Sequence, residues 1–576
     1  MHLYKKSITA LFTFSALFLF TVSCISKDSI HVRLIKEVKK DDPDIMVIKK
    51  LVKNGANINY EDDLQNTSLH WASSKGHLTI IEYLLESGAE IDKINKDGFT
   101  PLTIALKSEH EAMAKMLIMA GSDVNKPIDN RYKPLFFAVD RGYKEVIELM
   151  LSKGAKINYV IEGIYTPLLM AVEQNDLAIV ELLINAGADI NQVAQISPLC
   201  MAARQGYKPI VEYLLSKGAS VNLAGKSGVF PLFAAAYNNH LEIMEILIAA
   251  GADINKIDKL GETTLYNAIF ENQTEVVNLL LTKGADVLLK YKEERTALIL
   301  AAEKGHVEIS KLLLAYQSPV DQVDLFDNTP LFVAAQHNHL EVVQLLIQKG
   351  ADVNKQNMHG ETPLFKASEK GHLAIAQYLF KSGANIDTPR RGKQTPLYAA
   401  MENGQAEVVS YLIKEGADID AADENRETPL YIAVNESKPE MVKLLIAAGA
   451  NINTPSTNDQ PLIHIAASKG NMGVLTQLVD AGANVHTIER YYGMTTLQSA
   501  ILSGKLETIK YLIEAGVDVN KTNNDGRTAL HFACLSKQTE IVKYLLSKGA
   551  DPTIKDITGE QAIDMTNDPT IKKLVD

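Results

Sequence analysis

The chain has few cysteines, and their placement excludes a disulfide-bonded framework and a cysteine-ligated metal site. Its 576 residues include only three, Cys24, Cys200 and Cys534. A disulfide framework or a Cys-x-x-Cys metal site needs several cysteines at short spacings. Because these three lie far apart in the sequence, we expect Cys200 and Cys534 to be packed free thiols.

The sequence also lacks the usual markers of domain boundaries. No Pro/Ser-rich linker, low-complexity tract or long block of like charge interrupts it, so we expect one continuous architecture. The formal net charge is −12, with both signs interspersed along the chain. Nucleic-acid binders concentrate Lys and Arg on one face, so we expect no nucleic-acid partner.

The motifs of common enzyme classes are absent as well. No His pair has the HExxH spacing, no Gly-rich phosphate loop follows a strand pattern, and no GxSxG elbow occurs. The sequence therefore indicates no catalytic residue, no metal site and no cofactor. We expect neither an enzyme nor a small-molecule substrate.

The N-terminus has the layout of a secretory signal peptide. Lys5 and Lys6 precede an apolar run from residue 8 to residue 22, which is shorter than the roughly 20 residues that a membrane-spanning helix needs. The run ends in a small residue and Cys24, in the order of basic, apolar and small residues typical of such signals. TVSC at 21–24 also resembles the bacterial lipobox, whose cysteine thiol takes a diacylglyceryl group and becomes the first mature residue.

The lipobox resemblance implies a location. We expect a signal peptide at 1–23, lipidation at Cys24 and a short tether at 24–29, which would anchor the protein in the bacterial cell envelope. Residue 25 is Ile rather than the Asp that retains some lipoproteins at the inner membrane, which favours the outer membrane or cell surface. Thr21 stands where the lipobox usually has leucine, and this departure leaves ordinary secretory cleavage without lipid as the alternative.

A single unit is repeated through the rest of the chain. A glycine, usually followed by alanine, recurs every 33 residues, except for a step of 31 from Gly187 to Gly218 and one of 34 from Gly482 to Gly516. Both exceptions fall between the glycine and the next Thr-Pro-like start, so we expect the length to vary in a loop. Gln317 takes one glycine slot. A periodicity of this kind is the signature of stacked repeats.

Residues 362–383 show why each unit forms two helices. Thr362 supplies a hydroxyl N-cap, and Pro363 at the first helical position lacks the N–H that would be unpaired there. Gly371 turns the chain, and apolar residues at helical spacing follow it. Gly383 then stops the second helix as a left-handed cap. The residues up to the next Thr-Pro suit an extended hairpin loop.

This pattern resembles the ankyrin repeat, from about residue 30 to the C-terminus. The resemblance implies an all-α repeat solenoid, a curved stack of about 17 ankyrin repeats spanning 30–576, with divergent capping units at both ends. The Thr-Pro-Leu-like starts that carry the resemblance begin at Thr67, Thr100, Lys133, Thr166, Ser197, Phe230, Thr263, Thr296, Thr329, Thr362, Thr395, Thr428, Pro461, Thr495 and Thr528. Arrays of this family bind proteins through hairpin tips and a concave groove.

Histidines and acidic residues follow the same register. The family's histidine after Thr-Pro-Leu occurs at His70, His464 and His531, and aromatic residues replace it in many other units. His77, His306 and His372 follow the glycine between the two helices, where the family uses histidine structurally. Asp recurs in the Gly-Ala-Asp of many units. We therefore interpret both residue types as structural.

One variable position, two residues before the proline slot, indicates where a partner binds. Its occupants are polar in later units, at Glu262, Arg295, Asn328, Glu361, Gln394, Glu427 and Gln460. In five earlier units they are apolar, and two aromatic residues at the end of a first helix could continue that stripe. The predicted partner-binding residues are Phe99, Tyr132, Tyr165, Ile196, Val229, Tyr237 and Phe270. The alternative is that these side chains only pack hairpin against hairpin.

Together these features predict an exported, membrane-anchored ankyrin-repeat scaffold that binds a protein partner of unknown identity. The membrane contact would be the lipid on Cys24. The alternative is a released, host-directed effector or toxin-like ankyrin protein. Acylation of Cys24 distinguishes the two, since cleavage without lipid would release the protein.

Overall fold

A computed structural model of the chain describes residues 29–128, 132–454 and 459–575. Across these ranges it contains 33 α-helices, two short 3₁₀ helices and isolated β-bridges rather than strands. The predicted signal peptide and Cys24 lie outside the described residues. None of the helices in the described part is long and apolar enough to cross a membrane.

The described residues form two compact units, of which the first ends at Ala252. Its helices come in pairs, and in every pair after the first one a helix of seven or eight residues precedes a helix of nine. They are α1 Ile30–Val38, α2 Ile45–Lys53, α3 Ser68–Lys75, α4 Leu78–Glu86, α5 Pro101–Lys107, α6 Glu111–Met119, α7 Pro134–Asp140, α8 Lys144–Ser152, α9 Pro167–Glu173, α10 Leu177–Asn185, α11 Pro198–Gln205, α12 Lys208–Ser216, α13 Pro231–Tyr237 and α14 Leu241–Ala249.

The second unit begins at Asp253 and has the same pairing. Its α-helices are α15 Thr264–Phe270, α16 Thr274–Thr282, α17 Ala297–Lys304, α18 Val307–Ala315, α19 Pro330–Gln336, α20 Leu340–Gln348, α21 Pro363–Lys370, α22 Leu373–Lys381, α23 Pro396–Glu402, α24 Ala406–Lys414, α25 Pro429–Asn435, α26 Pro439–Ala447, α27 Leu462–Lys469, α28 Met472–Asp480, α29 Thr496–Ser503, α30 Leu506–Glu514, α31 Ala529–Leu535, α32 Thr539–Ser547 and α33 Pro569–Val575. The 3₁₀ helices are Lys292–Glu294, in a hairpin, and Ala562–Met565, which pairs with α33. Seventeen helix pairs are therefore present in the described ranges, as the repeat predicts.

The capping residues begin and end the helices as their chemistry predicts. The Thr362 hydroxyl accepts a hydrogen bond from the Phe365 amide at 3.1 Å, and Pro363 occupies the first helical position. Gly371 caps α21 in the left-handed conformation with φ 76°, and Gly383 follows α22 with φ 96°. These left-handed residues end each helix without the steric cost of a side chain.

Length varies in the hairpin loops, as predicted. The 31-residue step corresponds to a loop at 186–197, which is two residues shorter than the preceding loop at 153–166. The 34-residue step corresponds to a loop at 481–495, one residue longer than the loop at 515–528. Every second helix from α2 to α32 is nine residues long, so the helical layers keep the same thickness while the hairpins differ.

Polar side chains hold each hairpin to its helices and to its neighbour. Within a hairpin, the Asn95 side-chain oxygen accepts the Phe99 amide at 2.8 Å. Between hairpins, the Asn125 side chain accepts the amide of Lys156 at 2.7 Å and donates to the carbonyl of Gly154 at 2.9 Å. These bonds satisfy backbone groups that the loop leaves outside helices, so they fix the direction of the hairpins.

The core of each unit runs through its helical layers. Small and branched side chains of the first helices pack against apolar side chains of the second, as Leu397 and Ala400 of α23 do with Val408 and Leu412 of α24, all at most 1% exposed. Cys200 and Cys534 are free and buried, which confirms their interpretation as packed thiols.

The histidines have structural roles, as predicted. His70 Nδ1 accepts the Thr67 amide at 3.1 Å, and its Nε2 lies 3.1 Å from the Phe99 carbonyl. Among the histidines between the two helices, His372 reaches the preceding repeat, where its Nε2 lies 3.1 Å from the Gln336 carbonyl. The imidazoles of His70 and His372 therefore satisfy backbone groups near a helix end.

Candidate functional site

The five apolar residues at the variable position occupy equivalent places in the first unit. Each directly precedes the N-cap of a first helix, where the hairpin returns to the helical layer. All five side chains are half-buried, so they neither project fully into solvent nor enter the core. They are Phe99, Tyr132, Tyr165, Ile196 and Val229.

The first two of these residues are covered by their own surroundings. The Lys107 ammonium lies 4.4 Å from the centroid of the Phe99 ring, a cation–π distance. The Tyr132 ring packs against the Phe136 ring at 5.4 Å, and its hydroxyl donates to Glu162 Oε1 at 3.0 Å. Phe99 and Tyr132 therefore fit the packing alternative better than the other predicted residues do.

The other three line one cavity of about 510 Å³, together with Tyr237. Tyr165, Ile196 and Val229 come from three successive hairpins, and Tyr237 lies at the end of α13 with 56% of its surface exposed. The floor is apolar and comes from the first helices, with Leu169 and Met201 almost fully buried. The structure thus brings together four of the seven predicted binding residues.

The seventh predicted partner-binding residue, Phe270, lies in the second unit. Its ring is 50% exposed, and the Lys304 ammonium lies 4.3 Å from its centroid. Its proposed role in a continued stripe therefore stays a prediction.

Charges of both signs stand at the rim of the cavity. Glu173 ends α9 and its carboxylate accepts a hydrogen bond from the Tyr165 hydroxyl at 3.4 Å, while Arg204 lies near the end of α11. The rim also carries the polar side chains of Gln195, Ser227 and Asn238. A mostly apolar floor with a few convergent polar groups is the usual composition of a binding pocket.

The same register position has a different character in the second unit. Arg295 pairs with Glu303 at 2.7 Å, and the buried carboxylate of Glu361 lies 3.2 Å from the Lys366 ammonium. Each of these two charges is paired with an opposite charge, at a register position where the first unit has an apolar side chain. At these two positions of the second unit, a paired charge therefore takes the place of the apolar side chain found in the first unit.

Several lining residues were missed by the sequence analysis. Met201, Phe233 and Arg204 lie on first helices and line the cavity, yet they sit at positions that hold core or solvent-facing residues in other repeats. The shortened step between Gly187 and Gly218 was the available signal, because it falls on the hairpin that carries Ile196. Over the described ranges, no group of three or more His, Cys, Asp or Glu residues is placed to hold a metal ion.

Comparison with protein-family models identifies the repeat. The model described as "Ankyrin repeats (3 copies)" matches eight overlapping segments, 35–128, 94–161, 120–194, 199–291, 265–357, 319–390, 364–456 and 463–556. The chain belongs to the ankyrin repeat family. Ankyrin repeats are in general non-catalytic scaffolds that bind other proteins.

This ankyrin repeat protein was also compared with solved structures and with curated proteins. The crystal structure of human ASB11 ankyrin repeat domain is 27% identical in sequence and covers 39% of this chain and 99% of its own, with a TM-score of 0.36. The search of curated proteins finds no match.

Proposed function

We propose that this ankyrin repeat protein is an exported, membrane-anchored scaffold that binds a protein partner through the hairpin tips of its first unit and the groove lined by Tyr165, Ile196, Val229 and Tyr237. The observation that carries the binding site is the cavity of about 510 Å³, where Tyr165, Ile196, Val229 and Tyr237 converge. Exposed aromatic side chains around an apolar pocket are the groups that contribute most to protein–protein affinity.

Affinity capture from the protein's own cell envelope tests this binding site. Val229→Asp places a carboxylate beside the apolar floor, where an unpaired charge opposes burial by a partner. We expect this variant to lose a partner that the wild type retains, with the melting curve nearly unchanged because Val229 is half-buried. A matched Ile488→Asp variant changes an exposed hairpin residue of the second unit and should retain the partner. Equal capture by Val229→Asp and the wild type would contradict the proposed site.

A triple variant and its single variants separate the contributions of the three predicted aromatic residues to binding. Replacing Phe99, Tyr132 and Tyr165 together by Ser removes apolar surface from three hairpins without changing a helix. Because the first two are covered by Lys107 and Phe136, we expect most of the loss of binding to come from Tyr165. The single variants separate these contributions.

The membrane anchor is proposed on sequence grounds. TVSC at 21–24 follows a basic region and a short apolar run, and α1 begins at Ile30, only a few residues after Cys24. At no more than about 3.5 Å per residue, the tether would keep the first repeats close to the membrane. Labelling cells with a fatty-acid probe should mark the wild type and not Cys24→Ala.

A second candidate, a released host-directed effector, is favoured by Thr21, which departs from the usual lipobox leucine. In that case the wild type and Cys24→Ala would both be unlabelled and would appear in the culture medium. Equal labelling of both proteins would contradict lipidation at Cys24.

A further inference from the structure

The first helix pair is basic, although the chain as a whole has a net charge of −12. Residues 29–60 contain Arg33, Lys36, Lys39, Lys40, Lys49, Lys50 and Lys53, against the anions Glu37, Asp41, Asp42 and Asp44. A terminal repeat needs a polar outer face to stay soluble, but solubility does not require an excess of one sign. The excess of cations therefore needs a further explanation.

Three of these cations lie at one end of the helix pair. The His31 imidazole accepts the Asn57 amide at 2.9 Å, so the start of α1 lies beside the end of α2. Arg33 is in the first turn of α1, and Lys50 and Lys53 are in the last turn of α2. All three side chains are exposed, and within the described ranges none of them has an ion partner. We call Arg33, Lys50 and Lys53 the basic end.

The acidic side chains of the pair lie towards its other end. They belong to the segment 37–44, which leads from α1 into α2. Two of them are already paired, Glu37 with Lys40 at 2.6 Å and Asp41 with Lys75 at 2.6 Å. The first helix pair is therefore electrically polarised, with its carboxylates away from the basic end.

The hairpin that follows α2 does not neutralise the basic end. Glu61 pairs with Lys93 at 2.9 Å, and Asp62 pairs with Lys39 at 3.0 Å. Asp63 is exposed and has no ion partner among the described residues. The one unpaired carboxylate of this hairpin is thus outnumbered by the three cations of the basic end.

Lys50 occupies a position that is buried against a neighbour in other repeats. The sixth residue of each later second helix, from α4 to α32, is apolar or aromatic, except in α28. This residue contacts the preceding repeat, since Tyr83 lies 5.4 Å from the Lys49 ammonium and the Tyr411 ring lies 6.3 Å from the Phe380 ring. Because α1 and α2 are the first helix pair of the described residues, Lys50 lies on the open end of the stack.

Helix stability does not account for these charges as a set. A lysine in the last turn complements the helix dipole, and Lys381 and Lys414 hold the same ninth position in α22 and α24 as Lys53 holds in α2. Arg33 has the opposite effect, because a cation in the first turn is repelled by the positive end of the dipole. Dipole stabilisation therefore explains Lys53 and leaves Arg33 unexplained.

The chain enters α1 at this same end. Six residue steps separate Cys24 from Ile30, and at no more than about 3.5 Å each they reach about 20 Å. A lipid on Cys24 would therefore hold the basic end near the headgroups. Attraction between exposed charges extends over a screening length of about 8–10 Å at physiological salt, so the basic end lies within reach of an anionic membrane surface.

We propose that the basic end binds the anionic phospholipid headgroups of the membrane that holds the Cys24 anchor. This inference rests on the proposed membrane anchor and adds a second, electrostatic contact. The lipid keeps the protein at the membrane, and the basic end turns the open end of the stack towards the surface, so that the later repeats point away from it.

Vesicle sedimentation with the unacylated mature chain tests this contact apart from the lipid. The protein is prepared from residue 24 onward, without the signal peptide. The vesicles contain phosphatidylglycerol and phosphatidylcholine in equal parts, or phosphatidylcholine alone. We expect the wild type to bind only the anionic vesicles, and to bind them less at high salt because the charges are screened.

The test variant is Arg33→Gln/Lys50→Gln/Lys53→Gln. Its partition into anionic vesicles should fall by about fivefold for each charge removed, and so by at least about tenfold in all. The charge-preserving variant Arg33→Lys/Lys50→Arg/Lys53→Arg should bind as the wild type does.

A matched control removes the same net charge elsewhere. Lys349→Gln/Lys381→Gln/Lys414→Gln changes exposed lysines at the ends of second helices in the second unit, and it should bind as the wild type does. Matching melting curves would show that all the variants remain folded.

Equal binding of the wild type and the Arg33/Lys50/Lys53 variant would overturn the inference, and so would an equal loss in the control. A wild type that does not bind anionic vesicles would overturn it too, and would mean that the cations only keep the open end soluble. Fatty-acid labelling in cells separates these failures from that of the anchor. A labelled wild type that fails with vesicles retains the anchor and loses the electrostatic contact, whereas an unlabelled wild type contradicts the anchor and the inference together.

Discussion

Gln317 adopts the left-handed backbone conformation that glycine adopts at the same position of adjacent repeats. It follows α18 with φ 63°, while Gly284 and Gly350 take the same position in adjacent repeats with φ 93° and 88°. A residue with a side chain costs about 1–2 kcal/mol in the left-handed conformation. Glycine has more conformational freedom in the unfolded chain, and this offsets about 0.4–1 kcal/mol of the stability gained by introducing it. We therefore expect Gln317→Gly to stabilise the repeat locally by about 0.5–1 kcal/mol.

Hydrogen exchange is the suitable assay, because repeats contact only their neighbours and open locally. In Gln317→Gly, exchange of the amides in α18 should slow by a factor of about two to five, the equivalent of that stabilisation. The reverse control is Gly350→Ala, where a Cβ would meet no atom within 4 Å, so no steric clash adds to the backbone strain. It should speed exchange in α20. Uniform exchange across residues 290–330 and their neighbours in the wild type, or an unchanged rate in Gln317→Gly, would refute the reasoning.

Two further predictions concern buried titratable groups. Burial lowers the pKa of His464, so the unfolded chain binds a proton near pH 6.5 more readily than the folded chain does. Stability should therefore fall as the pH drops from 7.5 to 5.5. The fall should be smaller in His464→Asn, and equal falls in the melting temperatures of the two proteins would argue against this role. Burial raises the pKa of the Cys200 thiol to about 12 and that of Cys534 to about 11, so neither should react with an alkylating reagent at pH 7.5 until the chain is denatured. Rapid labelling of the native protein would be inconsistent with their packing.

The helix pairs could be predicted because their signals are local. Thr362-Pro363 starts α21 through one hydroxyl and one missing N–H, and Gly383 follows α22 through its own backbone freedom. Nothing distant is needed for either effect. The same local reasoning located the loop-length differences and the left-handed conformation of Gln317.

The cavity could not be predicted from the same signals, because it depends on three hairpins at once. The position of Ile196 indicated an apolar side chain at a hairpin and the 31-residue step indicated a short loop, but neither showed that Tyr165, Val229 and Tyr237 line one cavity with Ile196. Phe99 occupies the same register position and is covered by Lys107, a contact that depends on the direction of one flexible side chain. Equivalent positions of different repeats therefore have the same backbone conformation, while the exposure of their side chains differs.

Site-specific photo-crosslinking tests the central claim, that the groove of the first unit binds the partner, most directly. A photoreactive benzoylphenylalanine would replace Tyr237, which is 56% exposed at the edge of the cavity, and in a separate protein Tyr316, which is 40% exposed in the second unit. Irradiation of intact cells should join the partner to the protein labelled at position 237 and not to the one labelled at position 316. Crosslinking from position 316 alone, or equally from both positions, would contradict the account.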